Sequence, residues 1–229
     1  MRRDNFAMPK KIPVAAKSTP KQKAAKAQLK KPNPRKGKRL KPAGSAAPET
    51  AEVLSSKVVY EGPLFRVTTD HIVEPGGKRN VRDVVRHNGS AVILAIDSSK
   101  SKKNPWIVME RQYRHAARQF LWELPAGKLE AGEEPLAGAM RELEEETGYR
   151  AKKWKLLIEY WASPGFLGES MQMYLAEGLI PGHASPEEDE NIELRLVKLS
   201  EVLKAIEKGH VHDGKTICGV LLYAQLHRK

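Results

Sequence analysis

Residues 127–149 read GKLEAGEEPLAGAMRELEEETGY, a run of carboxylates that closes on a glycine and a tyrosine. Taken as a helix from Leu136 to Thr147, with about 100° per residue, it sets Leu136, Ala139, Met140 and Leu143 within one arc roughly 100° wide. Such an arc is a core-facing stripe. With Leu143 at zero, Glu146 falls at about −60°, Glu142 at about −100° and Glu145 at about −160°, so three carboxylates line up beside the buried stripe. Like charges at helical spacing repel one another, which calls for a cation among them. Carboxylate oxygens on a rigid element suit hard divalent ions, and Mg²⁺ takes a few of them while keeping positions for water and phosphate. A glutamate-rich helix with nothing else around it would be only a solvated face.

More than a glutamate run is present. Gly127, Glu133, Arg141-Glu142-Leu143, Glu145-Glu146 and Gly148-Tyr149 stand at the spacing of the Nudix box. On these residues the chain resembles the Nudix hydrolases, which act on nucleoside diphosphates linked to another group. The resemblance implies an α/β fold: an α/β/α sandwich around a mixed sheet, with an N-terminal antiparallel β unit. It further implies that Glu142, Glu145 and Glu146 hold catalytic metal, Mg²⁺ with Mn²⁺ as the alternative, and that the backbone carbonyl of Ala126 adds a ligand. Gly127, Glu133, Arg141 and Gly148 are structural in such a box, with Glu133 and Arg141 tethering the loop to the helix.

Flanking stretches narrow the likeness. Pro164 lies 16 residues after Gly148, and the chain also carries RQYRHA at 111–116, WELPAGK at 122–128 and DGKT at 213–216. These resemble the ADP-ribose pyrophosphatase branch of the family, over about Val58 to Leu226. That branch implies Glu169, in the loop after the proline, as general base, with Glu145 the next candidate. It implies Arg111 and Arg114 on the phosphates, Glu123 on the ribose or adenine side, Pro164 near the substrate, and Arg82 supplied by a partner subunit. Its members are commonly homodimers that exchange N-terminal strands, for which residues 57–86 are suited.

The chemistry expected from the resemblance is hydrolysis of the pyrophosphate of ADP-ribose, or a related ADP-sugar, to AMP and ribose 5-phosphate. Alternatives are other nucleotide sugars, capped or 5′-triphosphorylated RNA ends, and a non-catalytic RNA-binding module of the same fold. The last would be expected to lose box glutamates, and this chain keeps them.

Charge divides the 229 residues in two. Of 40 basic and 28 acidic side chains, 15 and 2 fall within residues 1–50, so the formal excess of +12 belongs to a Lys/Ala/Pro-rich tail. Such a composition cannot bury enough surface to offset its ordering entropy. The expected division is a disordered tail over 1–52, an antiparallel β unit with a dimerisation role over 53–89, and the catalytic domain over 90–229. Spread cations without aromatics suit weak, salt-dependent contact with nucleic acid. Without an apolar run after Arg2-Arg3, the tail does not read as a secretory signal, and no stretch is apolar enough to span a bilayer. The single Cys218 fits a reducing, cytoplasmic setting and a core position.

Periodicity places the remaining elements. Lys57 to Val73 alternates as extended chain, Glu74-Pro75-Gly76-Gly77 is a turn, and Asn80 to Arg86 returns. Ala91–Ile96 reads as a buried strand, followed by strands at 106–110, 120–124, 154–160, 170–176 and 192–198. Helices at 200–208 and 213–227 close the chain. Residues 209–216, GHVHDGKT, satisfy the G-x-x-x-x-G-K-[ST] phosphate-loop pattern. That loop needs a strand before it, whereas residues 201–208 read as an amphipathic helix, so Gly209 is read as a helix stop and Asp213 as the next cap. His210 and His212 lack a third ligand nearby and read as loop residues.

Overall fold

The computed structural model describes residues 50–185 and 191–227. The expected tail, apart from residues 50–52, lies outside the described residues, as does the acidic run at 187–190. The described chain falls into two compact units, one of residues 50–90 with Glu159–Met171, the other of Ala91–Ile158 with residues 172–227. Segment 159–171 clusters with the N-terminal strands.

The first unit is built on a three-stranded antiparallel sheet, β1 (Glu52–Glu61), β2 (Arg66–Val73) and β3 (Arg79–Arg86), in that order. The expected turn at 74–77 is present, with the Gly77 N–H donating to the Glu74 carbonyl at 2.7 Å and Gly77 at φ 81°. The single extended stretch expected over 57–73 is two strands. Gly62-Pro63 breaks it, the Gly62 N–H donating to the Phe65 carbonyl at 3.0 Å, because proline fixes φ and offers no ladder donor. Along β2, Thr68, Asp70 and Ile72 are buried at a period of two. Asp70 accepts from Ser56 Oγ at 2.6 Å and pairs with Arg86. The Ser56 hydroxyl first, with Thr68 and Arg86 adding to it against the cost of burial, holds the Asp70 carboxyl below its ordinary value. All ten residues of β1 are exposed.

The second unit carries a mixed seven-stranded sheet. Its path runs β10 (Glu193–Lys198), β5 (Trp106–Arg114), β4 (Ser90–Asp97), β9 (Ser170–Pro181) and β8 (Tyr149–Trp161). β6 (Gln119–Glu123) pairs with β5, and β7 (Ala126–Lys128) pairs with β4. Both faces of β4 are covered: Ala91, Ile93 and Ala95 on one and Val92, Leu94 and Ile96 on the other are at most 1 % exposed. A strand buried on both faces reads as a continuous apolar run, as this one does.

Helix α1 (Pro135–Thr147) packs Ala139 and Leu143 into a cluster with Ala91, Ile93, Ala95, Val108, Tyr174 and Ala176. Two further helices, α2 (Leu199–Glu207) and α3 (Gly214–Leu226), follow β10. At Gly219 in α3 an added Cβ would come within 2.5 Å of Met173 Sδ, so the helix lies close on the sheet. The expected Asp213 cap is present, Oδ2 accepting from the Thr216 N–H at 2.9 Å. Because α2, not a strand, precedes 209–216, the phosphate-loop pattern there has no phosphate-loop structure.

Candidate active site

Helix α1 is the scaffold of the acidic site. Pro135 opens it, where a missing N–H costs nothing, and Gly148 ends it in the left-handed region at φ 70°, donating to the Glu144 carbonyl at 2.9 Å. A Cβ at Gly148 would also lie 2.5 Å from the Ala184 nitrogen, so glycine is required there twice over. The buried stripe is turned toward the acids from where simple periodicity sets it: Met140 is 37 % exposed and Glu146 only 3 %. Glu146 tolerates burial because the Ala126 N–H donates to its Oε2 at 3.1 Å.

Arg141 gathers the rest. Its Nε and Nη2 reach the two oxygens of Glu133 at 3.1 Å each, while Nη1 reaches Glu142 at 2.7 Å and Glu145 at 3.0 Å. The Glu133 bonds first, then Glu145 and Glu142, raise the Arg141 pKa against the effect of burial. In return Arg141, joined by the Glu130 N–H, holds the Glu133 carboxyl below its ordinary range. This ties the loop to the helix and draws two of the three stripe carboxylates toward one guanidinium. Gly127 leaves the space they need, since a Cβ there would sit 2.0 Å from the Glu142 carboxyl carbon.

Among the described residues, no three His, Cys, Asp or Glu side chains converge as they stand into a closed ion cage. The donor chemistry nonetheless suits a hard divalent ion: three carboxylates within two turns of one helix, beside the backbone of Ala126. Residues Glu142, Glu145, Glu146 and Ala126 are the ones that would hold it.

A second buried charge system adjoins this one. Glu123, 1 % exposed at the end of β6, accepts from Arg114 Nε and Nη2 at 2.9 and 2.8 Å and from Lys215 Nζ. Lys215, at the start of α3, also reaches Asp213 at 3.2 Å, and Thr216 Oγ1 accepts from the Leu124 N–H at 2.8 Å. Burial works against the Arg114 charge, yet the bonds and field of Glu123, with the fields of Glu110 and Glu146, keep its pKa above the ordinary value. Arg111, three residues earlier on β5, turns to the opposite face. There it lies 4.3 Å over the Phe120 ring and 3.6 Å from Glu193.

Arg82, Pro164 and Glu169 belong to the other unit. Arg82 on β3 pairs with Glu74 at 2.5 Å and is half exposed. Pro164 lies in a turn in which the Leu167 N–H donates to the Ser163 carbonyl at 3.0 Å. Glu169 ends that loop and accepts from Ser90 Oγ at 2.6 Å. Lys215 and Ser90 were not singled out for these roles from the sequence. DGKT carries a signal for the first; nothing in residues 88–91 carries one for the second.

A box of this geometry on an α/β/α sheet defines a Nudix hydrolase, and the chain belongs to that family: the NUDIX domain model matches residues 86–218. It is 36 % identical over 177 residues to the methanol dehydrogenase activator of Bacillus methanolicus, covering 76 % of this chain and 92 % of that one. It is likewise 36 % identical over 178 residues to the ADP-ribose pyrophosphatase of Bacillus subtilis (strain 168), with the same coverage. The crystal structure of an ADP compounds hydrolase aligns over 80 % of this chain and 96 % of that one with a TM-score of 0.68 at 20 % identity, which is a likeness of fold.

Proposed function

We propose that this enzyme hydrolyses the pyrophosphate of ADP-ribose, or of a closely related ADP-sugar, to AMP and ribose 5-phosphate. The observation that carries the reading is the retention of Glu142, Glu145 and Glu146 on one flank of α1, organised by Arg141 and Glu133. The 36 % likeness to an ADP-ribose pyrophosphatase supports the substrate.

A water oxygen bonds to one phosphorus as the bridging P–O bond breaks; the water proton passes to Glu169 and the bridging oxygen leaves with the other phosphate. Arg114, fixed by Glu123, contributes a guanidinium to the phosphates. Glu142, Glu145, Glu146 and the Ala126 carbonyl would hold Mg²⁺, or Mn²⁺, which would neutralise charge on the pyrophosphate.

The exposed β1 strand supports a homodimer. Val53, Leu54, Val58, Val59 and Tyr60 are each about half exposed, an apolar edge of the kind that marks an interface. Val59→Lys is expected to yield monomers by light scattering, against dimers for the parent.

The functional test is a panel of ADP-ribose, other nucleotide sugars and capped RNA with Mg²⁺ or Mn²⁺, read by nucleotide release, for the full chain and for a chain lacking residues 1–50. AMP from ADP-ribose at the highest kcat/KM, unaffected by the truncation, supports the reading. Preferential release from RNA that depends on residues 1–50 overturns it.

A further inference from the structure

The loop after Pro164 is fastened to the N-terminal sheet, and the fastening ends at Glu169. β3 is an edge strand of its sheet, and Val85 turns its backbone away from β2. Its N–H donates to the Phe166 carbonyl at 2.8 Å, and its carbonyl accepts from the Gly168 N–H at 2.8 Å, forming an isolated parallel bridge between Val85 and Leu167. The Ala162 N–H closes the loop on the Glu169 carbonyl at 3.1 Å. The backbone is thus pinned on both sides of Gly168, leaving only the Glu169 side chain to be aimed.

Two side chains from the chain just beyond β3 meet that carboxylate. Ser90, 7 % exposed, donates through Oγ to Oε1 at 2.6 Å. His87 places Nδ1 3.9 Å from the same oxygen, but the Gly89 N–H donates to Nδ1 at 3.0 Å. The lone pair of that nitrogen is therefore taken by the Gly89 N–H, and Nδ1 offers Glu169 no proton. Ser90 thus donates a hydrogen bond to the Glu169 side chain, and His87 stands beside it.

We infer that Ser90 is a positioning residue for Glu169: its hydroxyl fixes one carboxylate oxygen so that the other is presented for proton transfer. The inference rests on the role proposed for Glu169 above. It means that the proton acceptor is aimed by the same unit that bears the exposed β1 edge.

The test is a double-mutant cycle with Ser90→Ala and Glu169→Gln, measuring kcat, KM and Mg²⁺ dependence for AMP release from ADP-ribose, with thermal melting to follow folding. Losing a hydrogen bond to a charged group of this kind lowers kcat by about 10- to 100-fold. The expected result is such a loss for Ser90→Ala in the parent, with KM and Mg²⁺ dependence within about twofold, and no more than about twofold further loss in the Glu169→Gln background. An equal loss in both backgrounds, or none in the parent while Glu169→Gln is impaired, overturns the positioning role alone. Full activity of Glu169→Gln overturns the base assignment and the positioning role together.

Discussion

Gly127→Ala isolates the packing that the acidic site depends on. The residue lies outside the left-handed region, so alanine can adopt its backbone. What the substitution adds is one methyl group placed 2.0 Å from the Glu142 carboxyl carbon and from its Oε1. Ordinary contact needs about 3.5 Å, so the carboxylate must withdraw by about 1.5 Å. The obstructed atoms are the far end of a flexible side chain, so the fold can adapt by a rotamer change. The cost of that change is offset in part by the lower chain entropy of alanine when unfolded, and net stability should move by no more than about 1 kcal/mol. That corresponds to about 2–4 °C in melting temperature for a chain of this size. Catalysis should suffer far more, since a displacement of about 1 Å at a reacting centre can cost about 100-fold in rate. Steady-state AMP release over a Mg²⁺ series, beside a melting curve, checks both halves. Gly127→Ala with the parent's kcat and Mg²⁺ requirement would refute the reasoning, as would a loss of activity explained by a collapse in melting temperature.

Other outcomes follow from the buried charges. Lys215→Met leaves the Glu123 carboxylate buried with one cation fewer and should destabilise the protein by about 3 kcal/mol, measured by urea unfolding; an unchanged midpoint would mean the Lys215–Glu123 pair carries no weight. Glu133 has its folded pKa below the ordinary value of 4.5, so its bonds to Arg141 stabilise the fold above pH 4.5. That contribution is lost as pH falls through 4.5 toward the folded value. Glu133→Gln should therefore flatten the fall in melting temperature over that window, leaving the part due to Asp70, whose folded value likewise lies below its ordinary 3.8.

The box helix was legible because its information is local. Gly127, Glu133, Arg141 and the glutamates act within one loop and one helix, and spacing alone brings them together. Asp213 as a cap and the turn at 74–77 were legible for the same reason. Simple angular counting misjudged Met140 and Glu146, because a hydrogen bond from Ala126 lets a carboxylate take the buried place that hydrophobicity would give to methionine. The break at Gly62-Pro63 was hidden by alternation that continues on both sides of it. The surroundings of Glu123 could not be read along the chain, since Lys215 stands 92 residues away. The same holds for Ser90 and Glu169, separated by 79. Period two does put Arg111 and Arg114 on opposite faces of β5, a consequence visible once both are known to lie within one strand.

The stripe of Glu142, Glu145 and Glu146 is the proposed ion-binding surface for splitting a phosphoanhydride. Calorimetric titration of Mg²⁺ or Mn²⁺ into the parent and Glu146→Gln, alongside AMP release from ADP-ribose, addresses that most directly. The expected result is weakened ion binding together with a fall in kcat of about 100-fold or more, in a protein that still folds. Equal ion affinity and equal turnover in the two proteins would contradict it.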